Sequence, residues 1–488
     1  MIFEYIIVGL YTLALFLILV YSLLQLQLVL HYQKAKKKSP QVLKEPAEWP
    51  KVTVQLPLYN EQYVVKRLLN KIAQLDYPAS KLEIQVLDDS TDASRAHTEQ
   101  LTQALIQQGV NAKYMHRTNR ENFKAGALKE GLKTAEGEFI AVFDADFLPR
   151  RDWLKKTIPH FSKPDIGVVQ TRWGHVNRNY SLLTKIQAFA LDFHFLIEQV
   201  GRSFGGHFIN FNGTAGVWRK TCIKDAGNWQ GDTLTEDLDL SYRAQLKGWK
   251  FTYLKEVVTP AELPVVLSAA RSQQFRWNKG AAENFRKNFR TVYKSKAITA
   301  TSKLHSFFHL LNSSMFLLIL LVAVLSIPIL YIKFQQESWD LIFYILAAMG
   351  VSTLLFIYGY WISYREIHGG GFVSFLKFTG LFLAFFSIAM GLSVHNSWAI
   401  LEGHFNKKSA FIRTPKFDIS SSTDTWKGKT YINKKLSVLN SIEILLFGYF
   451  IYGLYSAYLT QDFGLVIFHA MLVFGFGFIS FKTLFSKA

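Results

Sequence analysis

The sequence of 488 residues predicts a multi-pass membrane protein in which an α/β domain with a mostly parallel sheet is inserted between transmembrane helices. Three observations lead to this fold class. Long apolar runs lie at the N-terminus and after about residue 300, the stretch between them carries dispersed charges, and short β-type runs alternate there with helical ones. The 50% of hydrophobic residues is therefore divided between membrane helices and a water-facing domain.

The first apolar run, residues 5–30, contains no charged residue and is long enough to cross a bilayer. It exceeds the apolar core of a signal peptide, has no basic stretch before it and shows no small-residue cleavage site, so we expect a retained anchor rather than a signal peptide or a buried core helix. Lys34, Lys36, Lys37 and Lys38 follow it. By the positive-inside rule, the following domain is then cytosolic.

Five further apolar runs follow the domain, and the basic stretches 285–303 and 406–440 enclose three of them. Both basic stretches should be cytosolic, but three crossings would separate them. We therefore expect the run 373–400, which carries Lys377, to lie in the interface or to fold back, leaving five crossings in all. The five runs lie at about 306–332, 340–362, 373–400, 441–459 and 463–483. The predicted division is an anchor at 1–33, a cytosolic domain at 34–300, transmembrane or interfacial helices at 301–405, a cytosolic loop at 406–440 and a transmembrane pair at 441–488.

The net charge of +19 allows a nucleic-acid partner or an anionic membrane surface. The basic residues collect at 34–38, 285–296 and 407–435, which are membrane edges, so a lipid bilayer and no nucleic acid is expected as partner. The single cysteine, Cys222, excludes an intrachain disulfide and a cysteine-based metal site. A metal would need oxygen or imidazole ligands.

Within the domain, β-rich runs alternate with helical patterns, which is typical of parallel strands in a doubly wound sheet. Ligands of such sheets bind beyond the carboxyl ends of the strands. The predicted strands are Val52–Leu56, Leu82–Leu87, Glu138–Phe143 and Ile166–Gln170, and the predicted helices are Glu61–Ala73, Ala93–Gln107 and Lys124–Thr134.

Carboxylates follow three of these strands: Glu61 follows the first, Asp88 and Asp89 the second, and Asp144 and Asp146 the third. Each could be an ordinary turn or capping residue. Two carboxylates at i and i+2 after a strand can also approach one hard divalent cation, which would neutralise a diphosphate. The chain has no Gly-x-x-x-x-Gly-Lys loop, which excludes a P-loop nucleotidase.

Two later motifs carry further chemistry. Thr235-Glu236-Asp237 opens a helical stretch, where it could supply a general base or simply cap the helix. In the string Gln273-Gln274-Phe275-Arg276-Trp277, Arg276 is suited to phosphate and Trp277 to the face of a sugar ring. The alternative for this string is an ordinary amphipathic helix.

Taken together and in this order, the motifs resemble those of the processive glycosyltransferases of family 2, which include cellulose, hyaluronan and chitin synthases. The longer strings look closest to the plant cellulose-synthase-like mannan and glucan synthases and their bacterial relatives. The resemblance implies a GT-A-like, Rossmann-like fold for the cytosolic domain. The strings are QVLDDSTD at 85–92, NFKAGALKEG at 122–131, FDADF at 143–147, GTAGVWR at 213–219 and QQFRW at 273–277.

The resemblance also implies roles for individual residues. Asp237 would be the catalytic base, and Asp144 and Asp146 would bind the diphosphate with Mg²⁺ or Mn²⁺. The loop 411–416 looks like the gating loop of the family, so that Arg413 and Lys416 would face the phosphates. The nucleotide would also be held by Tyr59, Glu61, Asp88 and Lys124, and the diphosphate and the acceptor by Gln273, Gln274, Arg276, Trp277, Asn212, Gly213 and Thr214.

The implied function is inverting, processive transfer of a hexose from UDP-glucose or GDP-mannose to the growing end of a β-linked glucan or mannan, expected to be β-1,4-linked, coupled to its secretion. A bacterial plasma membrane is the first expectation for its location and a Golgi membrane the second. One alternative is an enzyme that adds a single sugar to a lipid acceptor, and a more distant one is a channel or transporter with an inert cytosolic domain. The QQFRW string and the gating-loop string favour the processive enzyme.

Overall fold

A seven-stranded sheet forms the centre of the α/β domain, with strand order β3-β2-β1-β4-β6-β5-β7. All neighbouring strands are parallel except β6, which runs antiparallel to both β4 and β5. The computed structural model describes residues 2–38, 43–409, 411–421, 423–431 and 437–485, without the side chain of Glu337. The strands are β1 Val52–Leu58, β2 Leu82–Asp88, β3 Ala112–His116, β4 Phe139–Val142, β5 Ile166–His175, β6 Gly216–Arg219 and β7 Lys250–Ala261.

The four predicted strands are confirmed as β1, β2, β4 and β5, and the sheet is mostly parallel as predicted. The strands β3, β6 and β7 were not predicted, because each mixes polar with apolar residues and contains neither a continuous apolar run nor a regular alternation. Val54 and its neighbour Gln55, whose side chains point to opposite faces of β1, are both fully buried, as expected for a central strand covered by helices on both faces.

Helices cover both faces of the sheet. One face packs Val54 of β1 against Leu68 and Trp153, and the other packs Val142 of β4 against Leu128 and Trp218. The helices are α2 Val65–Ala73, α3 Ser94–Gln107, α4 Phe123–Thr134, α5 Trp153–Thr157, α6 Leu182–Phe193, α7 Gln199–Phe204, α8 Lys220–Asp225, α9 Glu236–Leu246 and α10 Leu267–Lys294. The predicted helix 61–73 begins only at Val65, because residues 62–64 form a turn and Asn60 before them lies in the left-handed region (φ 54°).

Six segments of the described chain are long and apolar enough to span a membrane, namely Ile2–Lys36, Asn312–Gln335, Asp340–His368, Phe372–Gly391, Val438–Leu459 and Val466–Phe485. The helices are α1 Ile2–Lys36, α11 Ala300–Leu310, α12 Met315–Gln335, α13 Asp340–Met349, α14 Val351–His368, α15 Phe372–Gly391, α16 Ser393–His404, α17 Val438–Leu459 and α18 Val466–Phe485.

The apolar run 373–400 is divided between α15 and α16, and both helices stay close to the α/β domain. At the end of α14, Glu366 forms ion pairs with Lys36 (2.6 Å) and with Lys255 of β7 (3.1 Å), so α15 starts beside the domain. Further along α15, Ile388 packs with Ile186 of α6. By length and composition Phe372–Gly391 could still span a membrane, so the interfacial position of this run and the total of five crossings remain predictions.

Helix α10 joins the domain to the membrane helices through two ion pairs. The carboxylate of Glu443 on α17 lies 2.6 Å from the guanidinium of Arg271, and Lys279 lies 3.2 Å from Glu402 on α16. Both carboxylates and Lys279 are buried or nearly so, and a buried charge is tolerated only when it is paired. The pairs therefore fix the rotation of α10 about its axis.

Candidate active site

A cleft lies beyond the carboxyl ends of β1, β2 and β4, with a cavity of about 200 Å³. This is the edge at which a doubly wound sheet binds its ligands. Helices α9 and α10 close one side, and the loop 411–421 covers the top. Most of the residues predicted for the site meet here, namely Tyr59, Glu61, Lys124, Asp144, Asp146, Asn212, Gly213, Asp237, Gln273, Arg276, Trp277, Arg413 and Lys416.

Three predicted site residues do not line the cleft. Asp88 is fully buried, where it accepts hydrogen bonds from the Ser90 amide and the Tyr114 hydroxyl (both 2.9 Å), and its neighbour Asp89 lines the cleft instead. The Thr214 hydroxyl accepts a hydrogen bond from the backbone amide of Asp144 (2.9 Å).

Gln274, the third of these residues, accepts a hydrogen bond from Asn396 of α16 (2.9 Å). It leaves α10 on a different side from Gln273, Arg276 and Trp277, which share one face at the spacings i, i+3 and i+4. The structure thus places these three residues behind the side chains that line the cleft, namely Asp88, Thr214 and Gln274.

Each carboxylate of the Asp-x-Asp motif is paired with a lysine. The ammonium of Lys124 lies 2.6 Å from Asp144 and also donates to the Gly213 carbonyl (2.8 Å), and Lys416 forms an ion pair with Asp146. Burial lowers the pKa of Lys124, but the carboxylates of Asp144 and Glu236 outweigh burial and leave that pKa raised. The motif is therefore an anionic centre with a cation on each side.

The side chains that line the cleft carry an excess of negative charge, which a divalent cation would neutralise. Seven carboxylates face five arginine and lysine side chains, a formal charge of −2. The described residues contain no group of three or more His, Cys, Asp or Glu that could hold a metal alone. Asp144 and Asp146 supply two carboxylates to the cleft, and a hard ion such as Mg²⁺ takes one or two carboxylates and completes its shell with phosphate oxygens and water.

Asp237, in the first turn of α9, lies deep in the cleft beside Gly213. Burial raises the pKa of Asp237 to about 7, and the neighbouring Glu236 carboxylate also raises it, while Lys124 lowers it. A carboxyl group with a pKa near 7 is suited to general-base catalysis at neutral pH. The capping alternative for Thr235 is not seen, since no side-chain capping hydrogen bond forms at this helix start.

The loop 411–421 occupies the open side of the cleft. Arg413 donates to the Tyr59 carbonyl (3.0 Å) and pairs with Glu61 (3.1 Å), and the Thr414 hydroxyl accepts from Arg276 (2.7 Å). Phe411 stacks on Phe123 with ring centroids 5.2 Å apart. The loop therefore touches the end of the cleft at Tyr59 and Glu61 and the α10 end at once. Of the predicted loop 406–440, residues 410, 422 and 432–436 lie outside the described residues.

Burial also shifts two charged groups under this loop. It raises the pKa of Glu61 to about 7, although Arg413 and Lys416 act in the opposite direction. It lowers the pKa of Arg276 to about 10, so that this guanidinium still carries its charge at neutral pH. Glu61 is thus the second carboxyl group of the cleft that titrates near neutrality.

Sequence reasoning missed two residues that line the cleft. Glu262 follows β7 and accepts a hydrogen bond from the Phe417 amide (2.8 Å), so it ties the loop to the sheet. Arg120 follows β3 and stacks its guanidinium on the Tyr59 ring, 3.3 Å from the ring centroid. Recognition of β3 and β7 as strands would have revealed both residues, because each lies just beyond a strand end.

Comparison with known proteins defines the class of this domain. Residues 50–280 match the family model described as glycosyltransferase like family 2. They contain the whole sheet, Asp237 and the QQFRW string. This part of the chain is a family 2 glycosyltransferase domain, and its fold is GT-A-like, as the resemblance implied.

Curated relatives of high identity are plant enzymes of the cellulose-synthase-like family. Glucomannan 4-beta-mannosyltransferase 1 of Cyamopsis tetragonoloba is 44% identical over 270 residues, which cover 54% of this chain and 51% of the relative. Glucomannan 4-beta-mannosyltransferase 2 of Arabidopsis thaliana is 38% identical over 336 residues, which cover 66% of this chain and 63% of the relative. The chain thus spans about half to two thirds of the length of these relatives.

A solved structure shares the fold. The mannosyltransferase PcManGT of Pyrobaculum calidifontis, in complex with GDP-Man and Mn²⁺, superposes with a TM-score of 0.54 at 19% identity. The match covers 82% of this chain and 100% of the other. At this level of identity the similarity concerns the fold alone.

Proposed function

We propose that this protein is a membrane-bound β-mannosyltransferase that transfers mannose from GDP-mannose to the growing end of a β-1,4-linked mannan-type polysaccharide. The observation that carries the proposal is the position of Asp237 in one cleft with the Asp144–Lys124 pair and Arg276. Similarity to two glucomannan 4-beta-mannosyltransferases supports mannose as the sugar. UDP-glucose remains the second candidate donor.

In the proposed reaction, the buried Asp237 carboxylate accepts the proton of the attacking acceptor hydroxyl. The hydroxyl oxygen attacks the anomeric carbon from the side opposite the diphosphate, so an α-linked donor gives a β-linked product. Arg276 and Lys124 present their charges to the side on which the diphosphate would leave, and fixed charges in a water-poor cleft stabilise the transition state strongly. A Mg²⁺ or Mn²⁺ ion bound by Asp144 and Asp146 would neutralise the leaving diphosphate.

The loop 411–421 would cover the bound donor and exclude water from the reacting centre. Its cation Lys416 is paired with Asp146, and Arg413 with Glu61, so both are already placed at the nucleotide end. In the proposed complex these two charges would face the phosphates. Until the donor binds, the ion pairs with Asp146 and Glu61 would hold the loop in place.

Processivity and secretion are part of the proposal, and the membrane helices beside the cleft support it. The alternative is transfer of a single sugar to a lipid, which would use the same cleft. The plant origin of the relatives gives no support to the expectation of a bacterial plasma membrane. We propose only that the catalytic domain lies on the cytosolic side of its membrane, because the basic stretches flank it.

The test uses the full chain in lipid nanodiscs with Mn²⁺ or Mg²⁺, supplied with GDP-mannose or UDP-glucose, beside the Asp237→Asn variant. We expect release of GDP and a polymer that an endo-β-1,4-mannanase degrades, both lost in the variant. A product with one sugar on a lipid would favour the alternative. Absence of diphosphate release from both donors would overturn the proposal and favour a transport role.

A further inference from the structure

The cleft is connected to membrane helix α1 by a chain of hydrogen-bonded polar side chains that starts at the half-buried Asn212 and ends at the buried Gln25. The side-chain oxygen of Asn212 accepts hydrogen bonds from Asn210 (2.9 Å) and Gln199 (3.2 Å), and His194 Nε2 lies 3.3 Å from the same oxygen. The amide nitrogen Nδ2 of Asn212 is buried and has no hydrogen-bond partner among the described residues. A donor without a partner in the wall of a cleft indicates a missing acceptor atom.

His194 is in turn held by Glu198. The ring nitrogen Nδ1 lies 2.7 Å from the Glu198 carboxylate, which also accepts a hydrogen bond from Gln25 of α1 (2.8 Å) and lies 3.4 Å from Arg202. The two ring nitrogens of His194 thus face two acceptors, Glu198 and the Asn212 oxygen.

The backbone is deformed to make this arrangement. Residues 194–198 form a single π-helical turn between α6 and α7. Such turns are rare, cost helical stability and occur frequently at functional sites. The turn brings His194 and Glu198 to one side of the helix, and the Tyr253 hydroxyl donates to the carbonyl of Phe195 within it (2.8 Å).

We propose that His194 and Glu198 are positioning residues that fix the Asn212 amide with Nδ2 directed at a hydroxyl or ring oxygen of the acceptor saccharide. This inference rests on the proposed function, because it takes the acceptor to be a β-linked saccharide. Asn212 is followed by Gly213, which lies against Asp237, so the amide is next to the proposed base. Through Gln25, α1 becomes part of the acceptor site as well as a membrane anchor.

The physical reason for such a relay is the symmetry of the asparagine side chain. A free carboxamide can rotate by 180° and present its oxygen to the cleft at little cost. The amide donors of Asn210 and Gln199 and the ring nitrogen of His194 all lie against this one oxygen. They remove this freedom, because rotation would place the NH₂ group against the two amide donors. The hydroxyl contact is then ready before the saccharide arrives, and less ordering is needed on binding.

The test measures binding of β-1,4-mannohexaose and of GDP with Mn²⁺ separately, by calorimetry on the full chain in nanodiscs. The variants are His194→Leu, which removes both ring contacts, His194→Gln, which retains one donor, and Glu198→Gln. His207→Gln is the matched control, because His207 lies in the same junction and contacts Ser302 rather than Asn212. Thermal unfolding shows whether each variant is folded.

We expect His194→Leu and Glu198→Gln to weaken mannohexaose binding about five- to tenfold, the loss of roughly one hydrogen bond. The KM for the acceptor should rise by the same factor while kcat and GDP affinity stay within about twofold. His194→Gln should restore part of the loss, and His207→Gln should behave as the wild type.

Unchanged mannohexaose binding in His194→Leu would overturn the relay, as would an equal loss of GDP and mannohexaose affinity in a folded variant. The proposed function has its own test: it is wrong if the wild-type protein releases no GDP from GDP-mannose. In that case a selective loss of mannohexaose binding in Glu198→Gln would still support the relay, and its absence would overturn it.

Discussion

The carboxylate oxygen Oδ2 of Asp237 lies 3.1 Å from the point that a Cβ atom on Gly213 would occupy. Gly213 has φ of +75°, in the region that L side chains rarely adopt. The strand-side loop and the start of α9 therefore meet at a position where only glycine fits without a shift. This contact joins the residue proposed to deprotonate the acceptor to the segment proposed to bind it.

Gly213→Ala is expected to reduce transfer at least tenfold, because the methyl group would displace the Asp237 carboxylate in addition to straining the backbone. The strain alone should cost about 1–2 kcal/mol of unfolding free energy. Gly109→Ala is the matched control, since Gly109 has φ of +84° but nothing near its Cβ position. Equal losses of activity in the two variants would show that the contact with Asp237 is unimportant. Steady-state kinetics and thermal unfolding supply the measurements.

Asp237→Asn is expected to lower kcat by about 10²–10⁴-fold, the range for loss of a general base, and to leave GDP affinity nearly unchanged. The amide has almost the same shape but cannot take the proton. Asp232→Asn, an exposed position just before α9, is the control. Preserved turnover with lost donor binding would contradict the assignment of Asp237. Single-turnover assays and GDP titration distinguish the two results.

The pH dependence of kcat/KM follows from the pKa of Asp237, which burial raises to about 7. The base must be deprotonated, so kcat/KM should fall about tenfold per pH unit below that value and level off above it. The same shift acts on stability: the folded state binds this proton more tightly than the unfolded chain, so its contribution is complete below about pH 4 and is lost as the pH rises to about 7. A flat rate profile from pH 5.5 to 8 would refute the shift.

Lys416→Met is expected to raise the KM for GDP-mannose about tenfold, because the ammonium beside Asp146 would no longer face the phosphates. Lys427→Met, at an exposed position further along the same loop, should behave as the wild type. An unchanged or lower KM in Lys416→Met would mean that the lysine only holds the closed loop. Initial rates over a range of donor concentrations decide between these outcomes.

Removal of divalent ions is expected to abolish transfer, since Asp144 and Asp146 would then face the diphosphate with like charge. EDTA treatment followed by Mn²⁺ or Mg²⁺ should restore activity in the wild type. Asp144→Asn should need a higher metal concentration for half-maximal rate. Full activity in EDTA would show that the lysine pairs at Lys124 and Lys416 replace the metal altogether.

Much of the α/β domain could be predicted from the sequence, because short runs of neighbouring residues mark its central strands and its longer helices. The apolar run before Asp88 and the run before Asp144 each mark a buried parallel strand, and the residues after them identify the ligand edge of the sheet. The face of α10 that carries Gln273, Arg276 and Trp277 follows from helical spacing alone. The strands β3, β6 and β7 lack such apolar runs, and Glu262 and Arg120 were missed with them.

The sequence by itself determined the class of this protein: apolar runs long enough to span a membrane, an alternating α/β domain and the Asp, Asp-x-Asp, Thr-Glu-Asp and QQFRW motifs in order. Only the tertiary structure decided which atoms meet. Pairing of Lys416 with Asp146, contact of Gly213 with Asp237 and the link from Gln25 to His194 join positions 24 to 270 residues apart. Such contacts depend on how separate elements pack, and no periodicity along the chain records that packing.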